Sequence, residues 1–421
     1  MVRNTHPAPY FFTHPTPAPV EARKCLTIAV VTETFAPEVN GVAMTLGRIV
    51  NGLIARGHQV QLHRPRQAHE GAAARGLQQH LYTGLPLPGY GELRCGMPAQ
   101  SQLMAHWRSF RPDVVHVVTE GPLGRSAVAA ARALYLPLSS SFHTNFQSYS
   151  QHYGVGLMQA AIDRYLRNLH NKTQATMVPT RAMQQELQLR GYRDLTVVSR
   201  GVDIELFNPA KRSDALRQRW GAHADDLVLL HVGRLAKEKN ISLVVAAYRA
   251  ILAQHPSAKL VLVGDGPLRN ALEQSCPRAI FAGVQKHEAL AQHYASADVF
   301  LFPSVTETFG NVVPEALASG LAVVSFARAA ALELIQHGHN GVLADTEDAA
   351  HFVAAALALV ANKAALQAVQ TAAAASVAHL SWHAVLDSFI HTLTAVQARH
   401  RSKFYPRIGE CLATPLHWPN A

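Results

Sequence analysis

Residues 299–320 read VFLFPSVTETFGNVVPEALASG, and the fold turns on how they divide. Val299–Phe302 is a short apolar run, the mark of a strand covered on both faces. Pro303–Gly310 interrupts it, and Gly310 lets the backbone turn sharply. A helix opens near Asn311 and runs toward Gly320. Strand, loop and helix in this order form the unit of a parallel sheet.

The unit recurs on either side. Leu227–Val232 (LVLLHV), Lys259–Val263 (KLVLV), Ile280–Ala282 and Ala322–Ser325 read as further strands of one sheet, with helices between them. An earlier series runs through Leu26–Thr32, Gln59–His63, Val114–Val118, Leu138–Phe142, Ala175–Val178 and Thr196–Val198, with a helix over Val42–Arg56 that stops at Gly57. The fold expected is α/β: two doubly wound, Rossmann-like domains facing each other across a cleft. The turn-rich Gly201–Pro209 is the hinge. The first domain spans 25–205 and the second 206–380. A helix over 381–397, from the Trp382–Ala395 pattern, crosses back to the first domain. A Pro-rich extension (1–24) without a signal-peptide core and a basic tail (398–421) flank them. Ligands in this architecture bind outside the carboxyl ends of the strands.

Composition sets wider bounds. The 421 residues are 48% hydrophobic and 16% charged, a globular profile. The net charge of +10, with 24 histidines besides, suits phosphorylated substrates or an anionic membrane face. Cys25, Cys95, Cys276 and Cys411 are widely spaced, which predicts four reduced thiols and no metal centre. No apolar run approaches membrane-helix length; Phe352–Ala361 reads as a packed helix. The expected location is the cytoplasm, peripheral on the inner face of the membrane. A nucleic-acid binder is disfavoured, since no Lys/Arg-dense run appears and Glu307 and Glu315 would repel phosphates.

The loops after the strands carry the chemistry. Free amides of Asn311, Val312 and Val313 at a helix start would attract an anion. Glu307 and Glu315 beside them can accept hydrogen bonds from sugar hydroxyls. In Gly233–Asn240 (GRLAKEKN), Arg234 and Lys239 can hold a diphosphate and neutralise a leaving group. Gly264–Pro267 (GDGP) does not start a dinucleotide fingerprint, because Arg269 stands where the third glycine would be. There is no D-x-D, so the expectation is a metal-independent reaction without a cofactor.

With TFG between its two glutamates and EALASG after them, Pro303–Gly320 resembles the signature of family 4 glycosyltransferases, which are retaining enzymes of GT-B architecture. The Arg234–Lys239 loop and the GDGP turn agree. The resemblance extends over roughly residues 25–395. It implies a hexosyltransferase in which Arg234 and Lys239 stabilise the departing diphosphate, Glu307 holds sugar hydroxyls and Glu315 holds the nucleotide ribose. Asp265, Thr308, Phe309, Gly310, Asn311 and Val312 would complete the donor site, and Gln285, Lys286 and His287 would lie along the base. In Pro37–Val42 (PEVNGV), Gly41 would approach the donor. Asn40 stands where the family often has another glycine, and Asn tolerates left-handed backbone angles. In Ser141–Asn145 (SFHTN), His143 matches a cleft histidine near the anomeric carbon, and Glu120 would contact the acceptor or orient His143.

TETFAPEVNGV, SFHTNFQSYSQHYG, RGVDIELFNP and TETFGNVVPEALASG together look most like the bacterial GDP-mannose-dependent α-mannosyltransferases. Relatives that move glucose, glucuronate or sulfoquinovose from UDP donors to diacylglycerol use close variants. The donor implied is thus GDP-mannose or a UDP-sugar, and the acceptor a lipid or glycan. A nucleotide-sugar epimerase shares the architecture and is the remote alternative. A sugar phosphorylase shares it too, but would need a pyridoxal lysine and a much longer chain.

Overall fold

Two parallel sheets frame the molecule. The computed structural model describes residues 25–38, 40–67, 70, 76–87, 90–143, 156–307, 309–345 and 348–404. In the first half, β1 (Thr27–Val31), β2 (Gln59–Pro65) and β3 (Leu77–Tyr82) precede a hairpin of β4 (Gly84–Leu87) and β5 (Tyr90–Gly96). Then come β6 (Val114–Val117), β7 (Leu138–Ser141), β8 (Ala175–Val178) and β9 (Leu195–Val197). The second half supplies β10 (Val228–Val232), β11 (Lys259–Val263), β12 (Ile280–Gly283), β13 (Val299–Phe302), β14 (Ala322–Phe326) and β15 (Gly341–Ala344). The sheet orders are β3-β2-β1-β6-β7-β8-β9 and β12-β11-β10-β13-β14-β15. Strand order reverses between β1 and β6 in one sheet and between β10 and β13 in the other. Each reversal opens a crevice at the strands' carboxyl ends.

Burial explains why the strands at the two reversals, β1 and β13, are so apolar. On β1, Ile28 and Val30 pack on one face with Leu46, Val50 and Leu53 of the helix Gly41–Ala55. Ala29 and Val31 pack on the other with Leu123, Ala127 and Ala131 of the helix Pro122–Ala133. β13 repeats the arrangement. Phe300 and Phe302 meet Val313, Ala316 and Leu317 of the helix Val312–Ala318, and Val299 and Leu301 lie with Ile241, Val244 and Tyr248 of the helix Ile241–Leu252. Each Val, Leu, Ile or Phe among them removed from water contributes about 1.5–3 kcal/mol.

The helix Trp382–Phe404 returns to the first domain. Val385, Leu386, Phe389, Leu393 and Val396 join Leu26, Ile28 and Val50 in one cluster. Gly52 admits it, since a Cβ there would stand 2.2 Å from a Leu386 methyl. Arg56–Asp387 (3.0 Å) and Gln397–Asp113 (2.6 Å) pin the two ends. This helix is longer than the expected span. No Gly or Pro interrupts it before Phe404, so Arg399, Arg401 and Lys403 belong to its last turns and not to a tail. Residues 1–24, Thr144, Asn145 and 405–421 lie outside the described residues. Among those described, no single helix is long and apolar enough to cross a membrane.

Three further features went unexpected. β3 (LQQHLY) is an edge strand too polar to stand out, the β4–β5 hairpin carries Pro and Gly, and β15 is only four residues long. β3 and β15 are edge strands of the two sheets, whereas the hairpin ends at Gly96, whose amide donates to Glu33 in the loop after β1.

Candidate active site

Because β10 and β13 are neighbours in the second sheet, the loops that follow them are neighbours too. Asn240 donates from Nδ2 to the Pro303 carbonyl at 2.9 Å, tying the Gly233–Asn240 loop to Pro303–Gly310. Lys239 then reaches Glu307, whose Oε1 accepts from Nζ and from the Ser304 hydroxyl (2.9 Å). Both side chains are about one-fifth exposed, in the loops that follow the carboxyl ends of β10 and β13. Arg234 stands apart. Its guanidinium is 61% exposed and 3.9 Å from Glu238, so nothing rigid holds it.

The GDGP turn proves to be a buttress for this loop. A Cβ on Gly264 would lie 2.0 Å from the Gly233 carbonyl oxygen, and one on Gly266 2.5 Å from that of Leu235. Only glycines let the two backbones approach so closely. Leu235 N–H donates to the Asp265 carbonyl at 2.9 Å, and Leu268 N–H returns to Leu235 at 2.9 Å. The Asp265 carboxylate is more than half exposed and accepts from the Gly266 amide. Beneath the loop, His231 on β10 donates from Nδ1 to the Leu301 carbonyl (2.9 Å). Its Nε2 is buried without a partner, and burial pushes its pKa down to about 4.

At the second loop, Gly310 has φ +85°, in the left-handed region. The expectation of three free amides is corrected here. Val313 N–H donates to the Gly310 carbonyl at 3.0 Å, because the turn into the helix closes on Gly310. Asn311 buries an Oδ1 with no partner. Phe309 does not line the crevice with its ring, which is 1% exposed in the apolar core. Val312 is half-buried against that same cluster. Thr308 lies outside the described residues. Glu315 accepts a hydrogen bond from the Tyr294 hydroxyl at 3.0 Å, and burial raises its pKa to about 7. In the segment expected along the base, Gln285 is folded back onto the Ala282 carbonyl (2.6 Å), and Lys286 and His287 are exposed at the start of the helix His287–Ala295.

The first domain meets this site through a residue that motif reading passed over. Arg200, just after β9, donates from Nη2 to His143 Nδ1 at 3.1 Å. Its guanidinium carbon lies 5.8 Å from the Phe309 ring centroid, and a Cβ on Gly41 would sit 3.7 Å from its Nη1. One side chain thus joins Gly41 and His143 of the first domain to the TFG loop of the second. The signal was present in RGVDIELFNP: a charged residue placed between a strand and an apolar hinge.

Glu120 pairs with His170 at 3.3 Å and its carbonyl accepts from Tyr165, while Arg200 donates to His143. One first-domain expectation is corrected. Asn40 is extended (φ −144°), not left-handed. Its Oδ1 accepts from the amides of Val42 and Ala43 as an N-cap, which is why Asn serves where a second glycine was anticipated. Glu33, also unassigned, accepts from the amides of Gly96 and Leu123 and donates from its own amide to Thr119 Oγ1 (2.7 Å), knitting the loops after β1 and β6. Among the described residues no three His, Cys, Asp or Glu side chains converge as metal ligands.

Two nucleotide-type sheets, a cation loop and an acidic loop at a strand-order reversal describe a sugar transferase of GT-B architecture, and the comparisons agree. Residues 39–206 match the model of Glycosyltransferase Family 4, and residues 226–362 that of Glycosyl transferases group 1. The chain is similar to the GDP-mannose-dependent alpha-mannosyltransferase of Corynebacterium glutamicum, with 30% identity covering 94% of this chain and 96% of that one. It is also similar to the sulfoquinovosyl transferase SQD2 of Arabidopsis thaliana, at 33% identity over 62% of this chain and 53% of that one. Among solved structures, sucrose-phosphate synthase from Thermosynechococcus elongatus superposes with a TM-score of 0.72 at 20% identity, covering 89% of this chain and all of that one. The chain belongs to glycosyltransferase family 4 and is a hexosyltransferase.

Proposed function

We propose that the protein transfers mannose from GDP-mannose to a lipid or glycan acceptor with retention, forming an α linkage. The observation that carries this reading is the Lys239–Glu307 pair at the strand-order reversal, in a chain similar end to end to GDP-mannose-dependent α-mannosyltransferases. Lys239, with help from the exposed Arg234, stabilises negative charge on the diphosphate as the glycosidic bond breaks. Glu307, already shared with Lys239, accepts from sugar hydroxyls and couples sugar position to phosphate position. Glu315 accepts from the ribose. Asn311, with its unused buried Oδ1, accepts from the donor as the cleft closes. The acceptor hydroxyl attacks from the face the diphosphate leaves, and the leaving phosphate takes its proton. Fixed cations do the work a metal would do, so the reaction proceeds without one.

The acceptor enters from the side of the first domain. The net charge of +10 favours an anionic surface, and peripheral contact with the cytoplasmic face of the membrane is part of this reading. A second reading keeps the mechanism and changes the substrates: a UDP-sugar donor and diacylglycerol acceptor, favoured by the likeness to a sulfoquinovosyl transferase. Thermal-shift titration with GDP-mannose, UDP-glucose, UDP-glucuronate and UDP-N-acetylglucosamine, followed by turnover with membrane lipids, separates the two. Stabilisation by a UDP-sugar and not by GDP-mannose overturns the first reading.

A further inference from the structure

Arg200 is 7% exposed, yet among the described residues it makes no salt bridge, and its Nε–H is buried without a partner. A guanidinium so placed is costly and has to be maintained by what it does for a neighbour. That neighbour is His143, 3.1 Å from Nη2. A guanidinium has N–H donors and no acceptor. The Nδ1 facing it must therefore offer its lone pair, and the single proton of a neutral ring resides on Nε2. A proton on Nδ1 would set N–H against N–H and cation against cation.

We infer that Arg200 is a positioning residue that fixes His143 as the neutral Nε2–H tautomer, making it a hydrogen-bond donor toward the sugar and removing it as a base. This rests on the reading that His143 faces the donor sugar. The Arg200–Phe309 contact at 5.8 Å makes the lock span both domains, so the tautomer is set where the cleft closes.

The other groups around the ring agree. Burial comes first in keeping His143 neutral, and the Arg200 charge next, followed by His116 from β6 and His170 from the helix Gly156–His170. His116 is itself held between Ser139 Oγ (2.9 Å) and Ser141 Oγ (3.0 Å). His170 lies between Ser140 Oγ (2.9 Å) and Glu120 (3.3 Å). The acid that acts on Arg200 is Glu307, through space, and Glu307 is already engaged by Lys239.

The test is nitrogen NMR of histidine-labelled protein, with the His143 signal assigned by its loss in His143→Gln. The wild type is expected to show an Nε2-protonated ring that does not change from about pH 8 to about pH 5. Arg200→Met removes donor and charge. Its His143 is expected to become a tautomer mixture with a protonation midpoint raised by ~1 pH unit or more. Turnover should fall about 100-fold with donor KM changed less than about threefold. Arg200→Lys keeps a charge and an N–H, and should recover to within about tenfold of wild type. An Nδ1-protonated ring in the wild type overturns the inference, as does a Met variant whose tautomer and titration match it. Should the Met variant not fold, the wild-type spectrum and the Lys variant decide. If no donor turns over at all, the functional reading has failed, and the spectra still settle the tautomer.

Discussion

Replacing Glu315 with Gln should make the free protein more stable at alkaline pH while impairing it as an enzyme. The carboxyl's ordinary pKa of 4.5 is raised to about 7 in the fold, first by burial, which the Tyr294 hydroxyl at 3.0 Å only partly offsets. Between those two values the folded protein binds a proton that the unfolded chain has released. Stability therefore falls as pH rises through that window. At about 1.4 kcal/mol per pH unit, the carboxylate costs the native state ~3 kcal/mol above pH 7 and little near pH 4.5. Gln carries no charge and still accepts from Tyr294. Urea unfolding followed by circular dichroism should show Glu315→Gln ahead by up to ~3 kcal/mol at about pH 8.5, and by under ~1 kcal/mol at about pH 5. Donor affinity should drop in the same variant, because the ionised group is the one proposed to hold the ribose. A Gln variant no more stable than wild type at pH 8.5, or one whose advantage is equal at both pH values, refutes the reasoning.

Other outcomes follow from the cation loop. Lys239→Ala should lower kcat by ~100-fold or more by removing a transition-state charge partner and leaving Glu307 unpaired, and Arg234→Ala should also reduce kcat; steady-state kinetics with wild-type values in either would take that residue out of the site. Gly264→Ala drives a methyl to within 2.0 Å of the Gly233 carbonyl, so it should cost both activity and melting temperature, whereas a merely flexible turn would tolerate it. Turnover should survive exhaustive EDTA; loss that magnesium or manganese restores would overturn the fixed-cation reading.

What could be read from the residues alone, and what could not, divides along physical lines. Both sheets were legible because strands covered on two faces are uninterrupted apolar runs, as in LVLLHV and VFLF. Two of the four edges were not: β15 is only four residues long, and β3 carries polar residues at Gln78, Gln79 and His80. Lys239 and Glu307 could each be picked out by motif, but their contact depends on β10 lying beside β13, which is a property of the strand order. Arg200 was overlooked for a related reason. Its meaning comes from partners 57 residues upstream and, at Phe309, more than a hundred downstream. Asn40 was understood in the wrong way. Its value is the side-chain oxygen that caps a helix, not the backbone angles it tolerates.

The returning helix Trp382–Phe404 bears on how the chain is made. On the ribosome the first sheet emerges before this helix, and the patch around Leu26, Ile28 and Val50 waits for Leu386, Phe389 and Leu393, which follow the second sheet in the chain. Domain-by-domain maturation during synthesis, common in multidomain chains, leaves this first lobe one apolar patch short until the second lobe has been built and the helix can return.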